Sequence, residues 1–300
     1  MTEKKSVQQK TVLGIGIATV DYLLTVPRYP SKDTKSHCSS FITEGGGNCA
    51  NTMVALSRLG VKTFILTCVG NDNVGMQIKT SLQKEDVVTD YIIEKGKQSP
   101  LSIIIVGKDD TSRTIIHRSG GDYTKALPCR DTILEGIDLL YCDGRFSATA
   151  EKLAHAARKK GIRMVVEAER TGLDVEKLFC FADILITSKN YHMQAFGTEH
   201  FKENMKMLTT KGPRLVITTL GAQGCLCMTG KELLKKPSVK TKVVDTTGAG
   251  DAFIAGIIYG ILHGWKIEKS LHFASQVAAF KCRKPGARAG LPYKGEIGGI

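Results

Sequence analysis

The sequence predicts an α/β protein: a mainly parallel sheet with helices on both faces. Two patterns carry that expectation. Short apolar runs alternate with longer amphipathic ones through most of the 300 residues, and glycines stand where helices between strands should end. Segments 12–18, 63–70, 138–144, 163–169, 183–187 and 214–220 read as buried strands. Each is short, rich in Val, Ile and Leu, and bounded by Gly or polar residues. Helical spacing marks 48–59, 74–85, 148–160 and 201–208, with Gly60 and Gly161 at C-terminal cap positions. Two long helices, 251–262 and 268–281, follow in the last third. Segments 22–44 and 99–118 break the rhythm. They alternate like exposed strands, are too long for simple βα loops, and the second has a hairpin signal at Lys108-Asp109-Asp110. They are expected to form a small antiparallel appendage, a lid over the carboxyl edge where α/β proteins bind ligands. No repeat or linker divides the chain, so residues 1–300 are expected to form a single domain with the lid inserted in it.

Composition limits the function classes. The chain is 42% hydrophobic and 24% charged, enough apolar residues for a sizeable core, which excludes a disordered chain or a small stapled scaffold. Nine cysteines at 38, 49, 68, 129, 142, 180, 225, 227 and 282 include no C-x-x-C pair, so zinc-ribbon and thioredoxin readings fail. Several lie in apolar runs, such as Thr67-Cys68-Val69, where Cys behaves as a small hydrophobe and fits a reducing compartment. Residues 1–10 are polar and lysine-rich, unlike a secretory leader, and the most apolar stretch, 252–262, is well short of a membrane span. A soluble, cytoplasmic protein with no membrane partner is expected. The net charge of +13 raises the question of a polyanion partner.

The chemistry concentrates in a few short motifs. In Asp245-Thr246-Thr247-Gly248-Ala249-Gly250-Asp251-Ala252-Phe253 a small-residue loop runs into an apolar helix. The amides of Gly248, Ala249 and Gly250 can converge there on phosphate oxygens at a helix N-terminus. Asp251, on the first turn, either accepts a proton from a hydroxyl attacking phosphorus or merely compensates the helix dipole. Glu44-Gly45-Gly46-Gly47-Asn48-Cys49-Ala50-Asn51 gives a backbone that can approach a ligand closely, followed by Asn48 and Asn51 at a helix start. The two asparagines suit sugar hydroxyls, and simple N-capping by Asn48 is the competing reading. Asp21, expected just beyond the first strand, either grips two adjacent hydroxyls of a polyol or is a turn aspartate. Arg113 is either a lid contact or a solvated charge. Thr218-Thr219-Leu220-Gly221-Ala222-Gln223-Gly224 is either a turn admitting a nucleotide or a hairpin. No phosphate-binding G-x-x-x-x-G-K-[ST] is present, and Gly14-Ile15-Gly16 has Thr19 in place of the third glycine of a dinucleotide fingerprint.

Residues 245–253 resemble the C-terminal signature of the ribokinase-like (pfkB) carbohydrate kinases, and Gly46-Gly47 with Asn51 resembles their N-terminal one. The resemblance covers roughly 12–293. It is nearest to ketohexokinases and plant-type relatives through Asp143-Gly144-Arg145, Val166-Glu167-Ala168-Glu169-Arg170, Thr187-Ser188-Lys189, Ala274-Ser275-Gln276-Val277-Ala278 and Ser112-Arg113-Thr114-Ile115-Ile116-His117. It implies a ribokinase-like αβα sandwich with a β lid, and ATP-dependent phosphorylation of a primary hydroxyl on a small sugar, a ketohexose such as fructose first. A ribokinase, fructokinase or nucleoside kinase is the alternative. Asp251 is then the implied base and 248–250 the anion hole. Asp21, Gly47, Asn48, Asn51 and Arg113 are implied for the sugar, and Thr219, Gly221, Gly224, Cys282 and Lys189 for the nucleotide. Mg2+ is implied with ATP, and a monovalent cation such as K+ near Asp245 and Thr247. Where most of the family has Asn-x-x-Glu, this chain reads Ser188-Lys189-Asn190-Tyr191, so no direct metal ligand is assigned. Residues 225–242 are also short. Asp33 resembles a lid residue that reaches a partner's sugar site, which implies a homodimer through the lid.

A polyanion-binding protein on a degenerate kinase fold is the rival from another class. Its support is the net charge and clusters such as Arg158-Lys159-Lys160, Lys235-Lys236 and 281–284. These are dispersed and have no interleaved aromatics, so no nucleic-acid partner is expected. The positive charges expected to matter are Arg113 and Lys189, facing phosphate.

Overall fold

A computed structural model describes residues 9–109, 113–122, 125–172 and 174–298. Strands β1 (Thr11–Ile15), β2 (Thr19–Val26) and β3 (Ser40–Gly46) lead into α1 (Asn48–Arg58). Next come β4 (Lys62–Val69), α2 (Asn73–Gln83), β5 (Val87–Val88), β6 (Ile92–Glu94), β7 (Leu101–Gly107) and β8 (Arg113–Arg118). The middle of the chain forms β9 (Leu139–Cys142), α3 (Ser147–Lys159), β10 (Arg163–Ala168), β11 (Ile184–Ser188), α4 (Lys189–Phe196), α5 (Phe201–Thr209) and β12 (Leu215–Thr219). It closes with β13 (Cys225–Thr229), β14 (Glu232–Lys236), α6 (Ala249–Leu262) and α7 (Ile267–Lys281).

The larger sheet has the order β14-β13-β12-β11-β10-β9-β1-β4-β5, with β6 also on β4. From β12 to β5 the neighbours are parallel, and β13 and β14 add an antiparallel edge. Strand alternation divides the core into two layers. Val12, Tyr141, Val165 and Ile217 face α1, α6 and α7, whereas Leu13, Leu140, Val166 and Val216 face the α3 side. Helix α6 is apolar almost all round because it lies between this sheet and α7. A Cβ on Gly256 would meet the Ala274 backbone, so the two helices approach through a glycine.

Three expectations change. The first strand stops at Ile15 instead of reaching residue 18; the chain passes there into lid strand β2, and residue 16 must be glycine because a Cβ would collide with the Asp143 carboxylate. Helix α4 was not anticipated. Its start is fixed by Ser188, whose hydroxyl accepts from the Tyr191 amide, and this short capped helix fills the gap after β11. The lid sheet, ordered β3-β2-β7-β8, is not wholly antiparallel. Its β2–β3 and β7–β8 pairs are antiparallel, but β7 arrives from the main sheet alongside β2 and pairs parallel with it. Of the expected hairpin signal, Asp110 lies outside the described residues. Among those residues, no helix is long and apolar enough to cross a membrane.

Candidate active site

The loop before α6 has the expected small-residue turn, with one change. Gly248 takes the left-handed conformation, with φ of 75°, and a Cβ there would also press on the Ala287 backbone. The Ala249 amide is spent inside the turn, donating to the Thr246 carbonyl at 3.1 Å. It therefore does not join the converging set. Gly248, Gly250 and Asp251 line a cavity of about 410 Å³ between the lid and the sheet's carboxyl edge.

Asp251 is buried at the first turn of α6. Its Oδ2 accepts from Asn51 Nδ2 at 2.8 Å, a contact between residues 200 apart in sequence. Burial pushes the Asp251 carboxyl up to about 7, with the Asn51 hydrogen bond opposing the shift and Glu169 and Asp143 adding to it. Asn48 is not an N-cap: Gly47 holds that position, and no side chain caps α1. The Asn48 amide instead donates to Glu167 and Glu169, at 3.3 Å each. Glu167 also accepts from the Tyr141 hydroxyl at 2.5 Å. Its carboxyl is driven well above the usual range by burial and then by the charge of Asp251.

Each glycine of the triplet has its own steric reason. A Cβ on Gly45 would strike the Arg288 guanidinium, and one on Gly46 the Asp21 carboxylate. Gly47 needs a φ of 91° and lies against the Ile17 carbonyl. Asp21 sits on lid strand β2 and not beyond a strand of the main sheet, so it is no turn residue. Its Oδ1 accepts from the Thr19 hydroxyl at 2.8 Å. Burial raises its carboxyl, against hydrogen bonds from Thr19 and Ser102 and the charge of Arg288. Arg113 reaches down from β8 to the Thr247 hydroxyl and lies 3.9 Å from Asp245 Oδ1, so the lid touches the glycine loop. Ser112 lies outside the described residues.

Thr219, Gly221, Gly224 and Cys282 line a second, largely apolar cavity of about 380 Å³. The two cavities share Thr219, Thr246 and Gly250. Lys189 lines neither; its ammonium pairs with Glu199 at 2.7 Å, and Ser188 takes the edge position. The expectation that Lys189 faces phosphate is therefore corrected. Lys281, counted in a surface cluster from sequence, is fully buried. Its ammonium donates to the Asp245 carbonyl at 3.0 Å. Burial would raise the Asp245 carboxyl, but the Thr247 amide and hydroxyl, the Gly286 amide and Lys281 hold it below the usual range.

The sequence reading quoted Glu167, Glu169 and Asp143 only as family markers, and it missed Arg288 and Lys281. Alternation along β10 was the available signal for Glu167, an acid in an otherwise apolar strand. Asp143 anchors loops: its Oδ2 accepts from the Ile17 and Cys49 amides at 2.8 and 3.2 Å. Nothing in the local pattern marked Arg288 or Lys281 as buried.

A sequence profile described as pfkB family carbohydrate kinase matches residues 9–294. Among curated proteins, the chain is 28% identical to an ATP-dependent 6-phosphofructokinase of Thermoanaerobacterium thermosaccharolyticum, covering 94% of this chain and 90% of that one. It is also 28% identical to the ketohexokinase of Mus musculus, over 93% of this chain and 98% of that one. Among solved structures, Arabidopsis thaliana ribokinase complexed with ribose and ATP superposes with a TM-score of 0.84 at 22% identity, covering 95% and 96% of the two chains.

The raised Asp251 carboxyl has a consequence for stability. Between the ordinary carboxyl range and about pH 7, the folded chain keeps a proton that the unfolded chain has released. Stability contributed by this group therefore falls as pH rises through that window. Asp251→Asn is expected to be more stable than the parent at pH 8 by roughly 1–3 kcal/mol. The gap should close toward pH 4. Urea unfolding midpoints at both pH values check this, and equal stability at pH 8 would contradict the assigned burden.

Proposed function

Because the chain belongs to the pfkB family of carbohydrate kinases, we propose that it transfers the γ-phosphoryl group of ATP to a primary hydroxyl of a small sugar, a ketohexose such as fructose being the first acceptor. One observation carries the reading. Two cavities of suitable size meet at Thr246 and Gly250, one polar and facing the lid, the other apolar and lined by Gly221, Gly224 and Cys282. The similarity to a ketohexokinase supports the acceptor class.

In this reading the sugar lies between Asp21, Asn48, Asn51 and Arg113, with Gly47 giving it room. The base of ATP lies in the apolar cavity, and its phosphates run over Gly248 and Gly250. The acceptor oxygen attacks the γ-phosphorus as the bond to the β-bridging oxygen breaks, giving ADP, and the hydroxyl proton passes to the Asp251 carboxylate. The loop amides meet charge on the transferring group. Magnesium comes with the nucleotide. Glu169 lines the lid-facing cavity and would offer carboxylate oxygens to the metal's water shell. Among the described residues, no three acidic, His or Cys side chains are grouped as a metal cage.

The implied monovalent cation meets a competitor, since the buried Lys281 ammonium already lies against Asp245. The lid leaves Phe41, Ile42, Ile103 and Ile116 exposed, which supports pairing of two copies through it.

A coupled ADP-release assay across ketoses, aldoses, ribose and nucleosides is expected to show turnover greatest on a ketohexose; a folded protein silent on the whole panel would overturn the reading. Asp251→Asn should lower kcat by about two orders of magnitude or more. In the parent, kcat/KM should fall as pH drops below about 7, where the base becomes protonated. Replacing potassium by choline salts is expected to leave the rate nearly unchanged, a marked loss showing that Lys281 does not suffice. Sedimentation velocity should give a dimer, which Ile116→Glu shifts toward monomer.

A further inference from the structure

Arg288 lies outside both cavities, in the segment after α7, yet it is buried. Its Nε donates to Asn51 Oδ1 at 2.8 Å and its Nη2 to the Gly46 carbonyl at 3.1 Å. Nη1 points to the Ser81 hydroxyl at 3.4 Å. Among the described residues no carboxylate stands within ion-pair distance of it; Asp21, Glu85 and Glu44 balance its charge from farther away. A buried guanidinium without a direct ion pair is costly to keep. A substitute that only filled the volume would avoid that cost, so the donors themselves need a reason.

The reason is the Asn51 amide. A guanidinium only donates, so the atom facing it must be the amide oxygen. That orientation turns the amide NH2 toward Asp251 Oδ2, at 2.8 Å, so Oδ2 must be the acceptor and any proton the carboxyl carries sits on Oδ1. The second arm, on Gly46, grips the strand whose next-neighbour contact is the Asp21 carboxylate.

We propose that Arg288 is a positioning residue that fixes the polarity of the Asn51 amide, and through it holds Asp251 with Oδ2 as acceptor and Oδ1 as the oxygen that gains and loses the proton, while tying that base to the Gly46–Asp21 edge of the sugar cavity. The proposal rests on the kinase reading for its kinetic consequences but not for its structural ones. Its positive charge lowers the proton affinity of both Asp251 and Asp21. Losing it raises that affinity, so more alkaline pH is needed to ionise the base.

Arg288→Met is expected to lower kcat by about ten- to a hundredfold, raise the sugar KM, and move the acid limb of kcat/KM to higher pH. Arg288→Lys, which keeps a charge and one donor, should restore part of the limb's position. In an Asn51→Ala background the kcat effect of Arg288→Met should largely disappear, since the residue acts through that amide. Arg288→Met is a core change, so Gly45→Ala provides a second route. Its Cβ would displace the guanidinium while keeping its charge and should produce the same limb shift in a milder form. Independently of turnover, carboxyl carbon NMR on aspartate-labelled protein, with Asp251→Asn to assign the signal, reads the Asp251 titration directly. An upward shift in Arg288→Lys and Gly45→Ala supports the proposal even if the sugar panel is blank. An unmoved titration with an unmoved acid limb, or additive kcat losses in the double variant, overturns it.

Discussion

A carboxylate held out of water at the first turn of α6 constrains much of what surrounds it. Burying Asp251 without partners would be prohibitive, so its neighbours must supply donors. Asn51 does so from α1, which requires α1 and α6 to pack side by side on one face of the sheet. Asn51 is in turn fixed by Arg288, and room for that guanidinium exists only because residue 45 has no side chain. The glycine triplet, the start of α1, the start of α6 and the segment after α7 thus answer to one buried charge.

The fold was largely legible because it follows from period. Apolar runs of strand length between amphipathic segments specify a parallel sheet whatever the side chains later do at its edge. What was not legible depended on pairings between distant residues. The parallel β2–β7 pair joins segments between which all of β3, α1, β4, α2, β5 and β6 intervene, and alternation looks alike in either direction. Asp21 was recognised as important but misplaced, since strand 12–18 looked continuous. Only the Asp143 carboxylate, packed against Gly16, shows why residue 16 must be glycine. Within the site, residues in small-residue motifs were found, as were Asp21 and Arg113 on the lid strands, but Arg288 and Lys281 were not. Asp251 and Asn51 stand beside glycines that advertise a special backbone. Arg288 and Lys281 lie in a basic stretch that reads as surface, and only burial distinguishes them from Lys284 beside them.

The distribution of charge tempers the impression given by composition. The protein carries a formal +13, yet the lid-facing cavity sets Asp21, Glu167, Glu169 and Asp251 against Arg113, Arg145 and Arg170. Burial and mutual repulsion raise Asp251 and Glu167, a strain on the folded state located at the proposed base. Lys281, Arg288 and Arg113 stand on three sides of it: against the Asp245 carbonyl, against Asn51 and from the lid against Thr247. The dispersed surface charges contribute to solubility and to drawing in anions, whereas these cations, with Arg145 and Arg170 on the cavity wall, stand against its carboxylates.

This arrangement explains why the family signatures occur in pairs at opposite ends of a chain. Neither is a site alone. Gly286 donates to Asp245 Oδ2 at 2.8 Å, and Ala287 to Glu44 Oε1 at 2.5 Å. Arg288 completes the run by bonding Asn51. Three consecutive residues after α7 therefore stitch the loop of the second signature to the strand and helix of the first. A displacement of either signature would move both the proposed base and the proposed sugar contacts together. Phosphoryl transfer depends on holding two reactants in line, and a single rigid joint between the two half-sites meets that need better than two independently placed loops.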